Sequence, residues 1–112
     1  MPASNALASA VIDDVLAAMS DPTRRHLLDQ IAARGYATAT VLAESTEISR
    51  QGVMKHLGVL ERAGLVSSKK EGREVLFFIR SGRLSATARW MDNLARQWDR
   101  RLQLIKHIAE SE

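Results

Sequence analysis

The sequence predicts a mainly α domain of about five helices that carries one small β-hairpin. Three observations point there. Apolar residues recur at helical spacing through most of the chain, two short β-prone runs meet at Gly72-Arg73, and capping and stopping residues punctuate the intervals. At 112 residues the chain is expected to form a single domain over residues 1–112. Its core is modest, so burial across a dimer interface would help it considerably.

Residues 1–6 are a small polar lead expected to fray. Leu7, Val11, Val15 and either Leu16 or Met19 then follow helical spacing and set a first helix over residues 7–19. Ser20-Asp21-Pro22 supplies a cap and a proline for the first turn of a second helix, which carries Leu27, Leu28 and Ile31 inward and ends at Gly35. Residues 38–45 form a short third helix with Val41 and Leu42 as its apolar residues, and Thr46-Glu47-Ile48 is the turn that follows. Ser49 is a good N-cap for a fourth helix. Gly64 stands just past that helix's last apolar repeat, where a left-handed residue is wanted. Residues 65–71 and 74–79 make the hairpin, joined by a tight turn at Gly72-Arg73. From Leu84 to residue 109 the chain returns to helix. Leu84, Met91, Leu94, Trp98, Leu102, Ile105 and Ala109 form a heptad-like stripe that Trp90, Leu104 and Ile108 widen on one side. A stripe with two tryptophans is an aggregation hazard unless something covers it, and a partner helix is the expected cover.

The fourth helix and the hairpin carry the functional signal. On the helical wheel Val53, Leu57 and Leu60 share one narrow stripe, while Gln51, Lys55, Gly58 and Arg62 cluster opposite, with Met54 on the shoulder. One face packs and the other is free to read a surface. Between Ser49 and Arg73 six Lys or Arg (Arg50, Lys55, Arg62, Lys69, Lys70, Arg73) stand against Glu61 and Glu71, a net of +4 where the whole chain is only +3. Positive charge confined to one helix and one hairpin is the footprint of phosphate binding, whereas a merely soluble surface mixes its signs.

Other chemistries lack their residues. The chain has no Gly-rich phosphate loop, no Gly-x-Ser-x-Gly elbow and no pair of histidines one helical turn apart with an intervening Glu, so no enzyme is expected. His26, His56 and His107 are scattered over different elements. There is no cysteine, which excludes disulfides and thiolate metal sites and suits a reducing cytoplasm. No apolar run approaches a membrane span, and the first residues lack a basic segment followed by a hydrophobic one. A cytoplasmic location without membrane contact is therefore expected.

The runs Met19-Ser20-Asp21-Pro22-Thr23-Arg24-Arg25-His26-Leu27-Leu28, Ser49-Arg50-Gln51-Gly52-Val53-Met54-Lys55-His56-Leu57, Leu60-Glu61-Arg62-Ala63-Gly64-Leu65-Val66 and Glu71-Gly72-Arg73-Glu74-Val75 resemble the core of the ArsR-type bacterial transcriptional regulators. Four ordered motifs at the right separations are far more specific than a lone helix-turn-helix match. The resemblance implies a winged helix-turn-helix fold, dimerisation through the first and last helices, and repression of a promoter. Many such relatives release DNA on binding a metal. Their thiolate site in the third helix needs cysteines that this chain lacks. Their last-helix site joins an Asp-x-His pair to a His-x-x-Glu or His-x-x-Asp ending of the partner. His107-Ile108-Ala109-Glu110 matches the second half, but Leu94 and Arg96 stand where the first half should be. Two ligands of four do not hold a tetrahedral metal, so the resemblance is to the metal-independent branch, with no cofactor expected.

The expected partners are double-stranded DNA and a second copy of the chain. The fourth helix would enter the major groove and the wing would touch flanking phosphates or the minor groove. Gln51 and Lys55 are the base readers, Gln for adenine and Lys for guanine acceptors. Ser49, Arg50, Lys69, Lys70 and Arg73 are backbone contacts, and Thr38 and Thr40 add phosphate hydrogen bonds. Met54 stands where the family usually has a small hydroxyl residue, and it either meets a thymine methyl or folds back as packing. Val11, Val15, Met91, Leu94, Trp98, Leu102 and Ile105 are the expected dimer interface. The alternative is a winged-helix module that binds protein and not DNA, but such a module needs no cationic face. No effector motif stands out in the residues.

Overall fold

Capping groups set the helix boundaries. In the computed structural model, which describes residues 2–111 and side-chain surroundings from residue 8 onward, the order is α1 (Pro2–Met19), α2 (Pro22–Arg34), α3 (Ala39–Glu44), α4 (Arg50–Arg62), β1 (Val66–Glu71), β2 (Glu74–Ile79) and α5 (Gly82–Glu110). The elements follow the order read from the sequence, and the architecture is a winged helix-turn-helix. α1 begins ahead of the predicted start at Leu7. A proline in the first turn costs nothing there, because its missing N–H would have no intrahelical partner.

The α1–α2 corner is built by its polar residues. The Asp21 carboxylate accepts from the Thr23 and Arg24 N–H groups at 2.8 and 3.1 Å and so caps α2. Arg24 reaches back to the end of α1, donating from Nε to the Ala18 carbonyl at 2.8 Å and from Nη2 to the Ala17 carbonyl at 3.1 Å. Arg25 donates to the Met19 carbonyl at 2.6 Å. Two guanidinium groups thus satisfy carbonyls that a helix end leaves open, with their charge at the favourable pole of the helix dipole. The Arg24 N–H is the main reason that the Asp21 carboxyl titrates below its ordinary range. Burial opposes that shift, and the Thr23 N–H and the Arg24 charge assist it.

The core lies where α2, α3 and α4 meet the base of the hairpin. Leu27 and Ile31 from α2, Leu42 from α3, and Val53, Leu57 and Leu60 from α4 are all fully buried, with Leu65, Val66 and Phe77 closing the hairpin side. Leu28, expected inward, is only partly buried. Val15 corrects a sequence expectation. At 1 % exposure it belongs to the core of its own chain and is not free for a partner, whereas Leu16 beside it is exposed. Two adjacent apolar residues on a helix point about 100° apart, and the α1 docking angle sends Val15 inward.

α4 ends as its sequence signals. Gly64 adopts φ +78, the Leu65 N–H reaches the Leu60 carbonyl at 2.9 Å, and the Gly64 N–H reaches the Glu61 carbonyl at 3.0 Å, the paired bonds of a Schellman ending. The hairpin pairs Val66 with Ile79 through Glu71 with Glu74, leaving a two-residue turn. Gly72 has φ +62 while Arg73 does not take positive φ, as in a type II′ turn. One pairing escaped the sequence reading. Ala37, just before α3, exchanges both backbone hydrogen bonds with Phe77 at 3.1 and 2.8 Å, tying the helix-turn-helix to the wing. A single bridging residue has no period from which it could be read.

α5 has 29 residues, a rod of about 43 Å in a molecule whose longest extent is 70 Å. It packs on α1, and within its first half Thr87 is buried and Leu94 is half-buried. From residue 95 onward every described residue is exposed.

Candidate nucleic-acid interface

The amphipathic pattern of α4 fixes which side chains face outward. With Val53, Leu57 and Leu60 committed to the core, Gln51 and Lys55 are exposed on the opposite side. Ser49 caps this helix by accepting from the Gly52 N–H at 3.1 Å, so its own hydroxyl proton is left for an outside acceptor. Thr38 caps α3 in the same way through the Val41 N–H at 3.2 Å. Arg50, in the first turn of α4, donates from Nε to the Thr40 hydroxyl at 3.2 Å, which holds the guanidinium across the angle between the two helices.

Thr38, Thr40 and Arg50 converge on one groove. A concavity of about 250 Å³ is walled by Thr38, Thr40, Arg50, Met54, Arg73 and Glu74, bringing together α3, the first turns of α4 and the wing tip. Met54 lines it with 39 % of its surface exposed, so its side chain faces the groove and not the core. Gln51 and Lys55 stand on the same helix outside the groove wall. The Ser68 hydroxyl donates to Glu61 at 2.7 Å, fixing the wing against α4 and occupying that carboxylate.

The hairpin register separates the two wing lysines. Lys70 is paired with Val75 and Lys69 with Leu76. Cross-strand partners share a face and neighbours in a strand do not. Lys70 therefore lies on the side of Val75 and Phe77, both of which line the groove, while Lys69 lies on the other side. Val75 and Glu74 were not among the residues singled out from sequence. The period-2 alternation on either side of the Gly72-Arg73 turn was the signal available for Val75.

The apolar stripe of α5 is uncovered in the single chain. Met91, Trp98, Leu102 and Ile105 are 51, 56, 62 and 62 % exposed, whereas Leu94 and Val11 are half-buried. His107 and Glu110 lie one turn apart in the exposed last turns, and among the described residues no three metal-ligating side chains gather in one place.

Residues 19–68, from the end of α1 into β1, match a helix-turn-helix domain family. The transcriptional repressor SdpR of Bacillus subtilis is 32 % identical over 88 residues, covering 79 % of this chain and 97 % of that protein. An ArsR-like transcriptional regulator from Rhodococcus sp. RHA1 superposes with a TM-score of 0.82 at 41 % identity, covering 93 % of this chain and 97 % of that one. The chain belongs to the ArsR family of winged helix-turn-helix transcriptional regulators. The uncharacterised HTH-type transcriptional regulator YuzN of Bacillus subtilis is also similar, 41 % identical over 73 residues, 59 % of this chain and 79 % of that protein. All three relatives are named as transcriptional regulators or repressors. Among the described residues of this ArsR-family regulator, no helix is long and apolar enough to cross a membrane.

Proposed function

We propose that this ArsR-family regulator is a homodimeric repressor that occludes a promoter by binding an imperfect palindrome. The observation that carries the reading is the groove in which Arg50 of α4 and Arg73 of the wing tip share one wall system with two threonine hydroxyls. Cations and hydroxyl donors gathered from three elements suit a phosphate backbone, and they flank a helix whose outward Gln51 and Lys55 suit base edges. α4 enters the major groove, the wing runs along the adjacent backbone, and Met54 meets a thymine methyl. Two copies joined along the α5 stripe present two such helices, and symmetric dimers read half-sites about 34 Å apart. SdpR, with which the chain shares 32 % identity, is named a repressor.

A gel-shift series tests the reading, using duplexes from the regulator's own promoter region and its neighbours at several salt concentrations. Sequence-selective binding that weakens steeply as salt rises is expected, since each neutralised phosphate releases counterions. Binding that ignores salt, or no preference among duplexes, overturns it.

A further inference from the structure

A second concavity, of about 330 Å³, shares no residue with the DNA-facing groove. Its floor is apolar: Met19 from the end of α1, Leu28 and Ala32 from α2, Leu65 and Ile79 from the root of the wing, and Leu84 from the first turn of α5. Its rim holds three charges, Arg25, Asp29 and Arg80. Arg25 and Asp29 are one turn apart on α2, on the face that also carries Leu28 and Ala32. The two ion pairs found among the described residues, Asp21 with Arg24 and Asp92 with Arg96, involve none of these three. One edge of Arg25 is anchored on the Met19 carbonyl, which steadies its remaining donors without using them.

We infer that this concavity is an effector site for a small apolar monocarboxylate, such as an aryl-acetic or short-chain fatty acid. An apolar floor with a few polar groups at its edge is the usual make-up of a small-ligand site. Two guanidinium groups match one carboxylate, and Asp29 leaves the rim at a net of one positive charge, which disfavours dianions and bare cations. The site is placed to matter. The Arg80 N–H bonds the Leu65 carbonyl at 2.8 Å, pinning the roots of the two strands together, and four residues later Leu84 lies in the first turn of the helix that runs out to the stripe. A ligand wedged between α2, the wing root and α5 shifts any equilibrium between wing orientations by its differential affinity for them. That regulatory role rests on the proposed operator binding; the binding site itself does not.

The test uses the full chain with phenylacetate as probe. Methyl NMR on the DNA-free protein is expected to show saturable shifts at Leu28, Leu65, Ile79 and Leu84. The neutral phenylacetamide and the Arg80→Gln variant should each bind about tenfold more weakly, the loss expected for one charge-assisted hydrogen bond. Ala32→Trp, at an exposed position on α2, should fill the concavity and abolish the shifts while leaving the helical signal intact. Phenylacetate should also change operator affinity in the wild type and not in Ala32→Trp. Shifts that are absent, equal for the amide or unaffected by Ala32→Trp overturn the site. Shifts as expected with unchanged operator affinity overturn its regulatory role. Failure of the ligand-free protein to bind any promoter duplex is the separate failure of the repressor reading.

Discussion

Lys69 and Lys70 are neighbours of the same type, and only strand alternation distinguishes them. Lys70 stands on the groove side of the wing with Val75, and Lys69 on the other with Leu76. Lys70→Ala and Arg73→Ala are therefore expected to weaken binding to all duplexes about alike and to lower the slope of log affinity against log salt by roughly one unit each. Lys69→Ala should change that slope less. Gln51→Ala or Lys55→Ala should instead cost about 1–3 kcal/mol on the preferred operator and little on unrelated DNA. Fluorescence anisotropy titrations on matched specific and scrambled duplexes separate the two patterns, and a wing lysine that behaves as a base reader would contradict the assignment.

Among the elements, α2 and α4 owe their boundaries to single residues whose roles can be measured. Gly64 sits at φ +78, and a Cβ there would come within 2.5 Å of the Arg83 side chain, which itself donates to the Ala63 carbonyl at 3.2 Å. Gly64→Ala should destabilise the fold by roughly 1–3 kcal/mol, read as a lower urea midpoint at an unchanged slope. Asp21 gives a pH-dependent case. Its folded-state carboxyl titrates below the ordinary 3.8, chiefly because the Arg24 N–H bonds the ionised form. Ionisation therefore favours the folded chain, fully so above the unfolded value and progressively less as pH falls through the folded one. Asp21→Ala should lower stability at neutral pH, and its deficit from wild type should shrink in acid below pH 3.8. Chemical denaturation at both pH values checks this, and a deficit that stays constant into acid would remove the carboxylate from the account.

For the whole molecule the exposed stripe of α5 is the dominant feature. Trp98, Leu102 and Ile105 lie on a rod that leaves the body of the chain, each more than half exposed. Removing apolar surface from water is worth about 25 cal/mol per Å², so a second copy gains by covering the stripe. Trp98→Ala is expected to leave the folded chain intact while weakening dimerisation by about 3–5 kcal/mol. Sedimentation and gel shift should show dimer and full-site binding lost together. A Trp98→Ala dimer of unchanged strength would move the interface elsewhere, and a monomer that holds a full operator at wild-type affinity would remove the symmetric mechanism.

The sequence by itself determined the order and kind of the elements, because caps, stops and apolar periods act locally: Ser49, Gly64 and Gly72-Arg73 mark boundaries that the structure keeps. It also determined the outward face of α4, since the positions of Val53, Leu57 and Leu60 leave Gln51 and Lys55 no other side. Tertiary structure alone decided whatever depends on how elements dock. It sent Val15 into the core and away from the partner interface expected for it, and it turned Met54 toward the groove. It joined Ala37 to Phe77 and set Arg50 on Thr40, pairings that span 40 and 10 residues. The physical reason is range. A helix cap or a hairpin turn is satisfied by atoms a few residues away, whereas a groove wall is made by side chains that meet only after the core has fixed the angles between their helices.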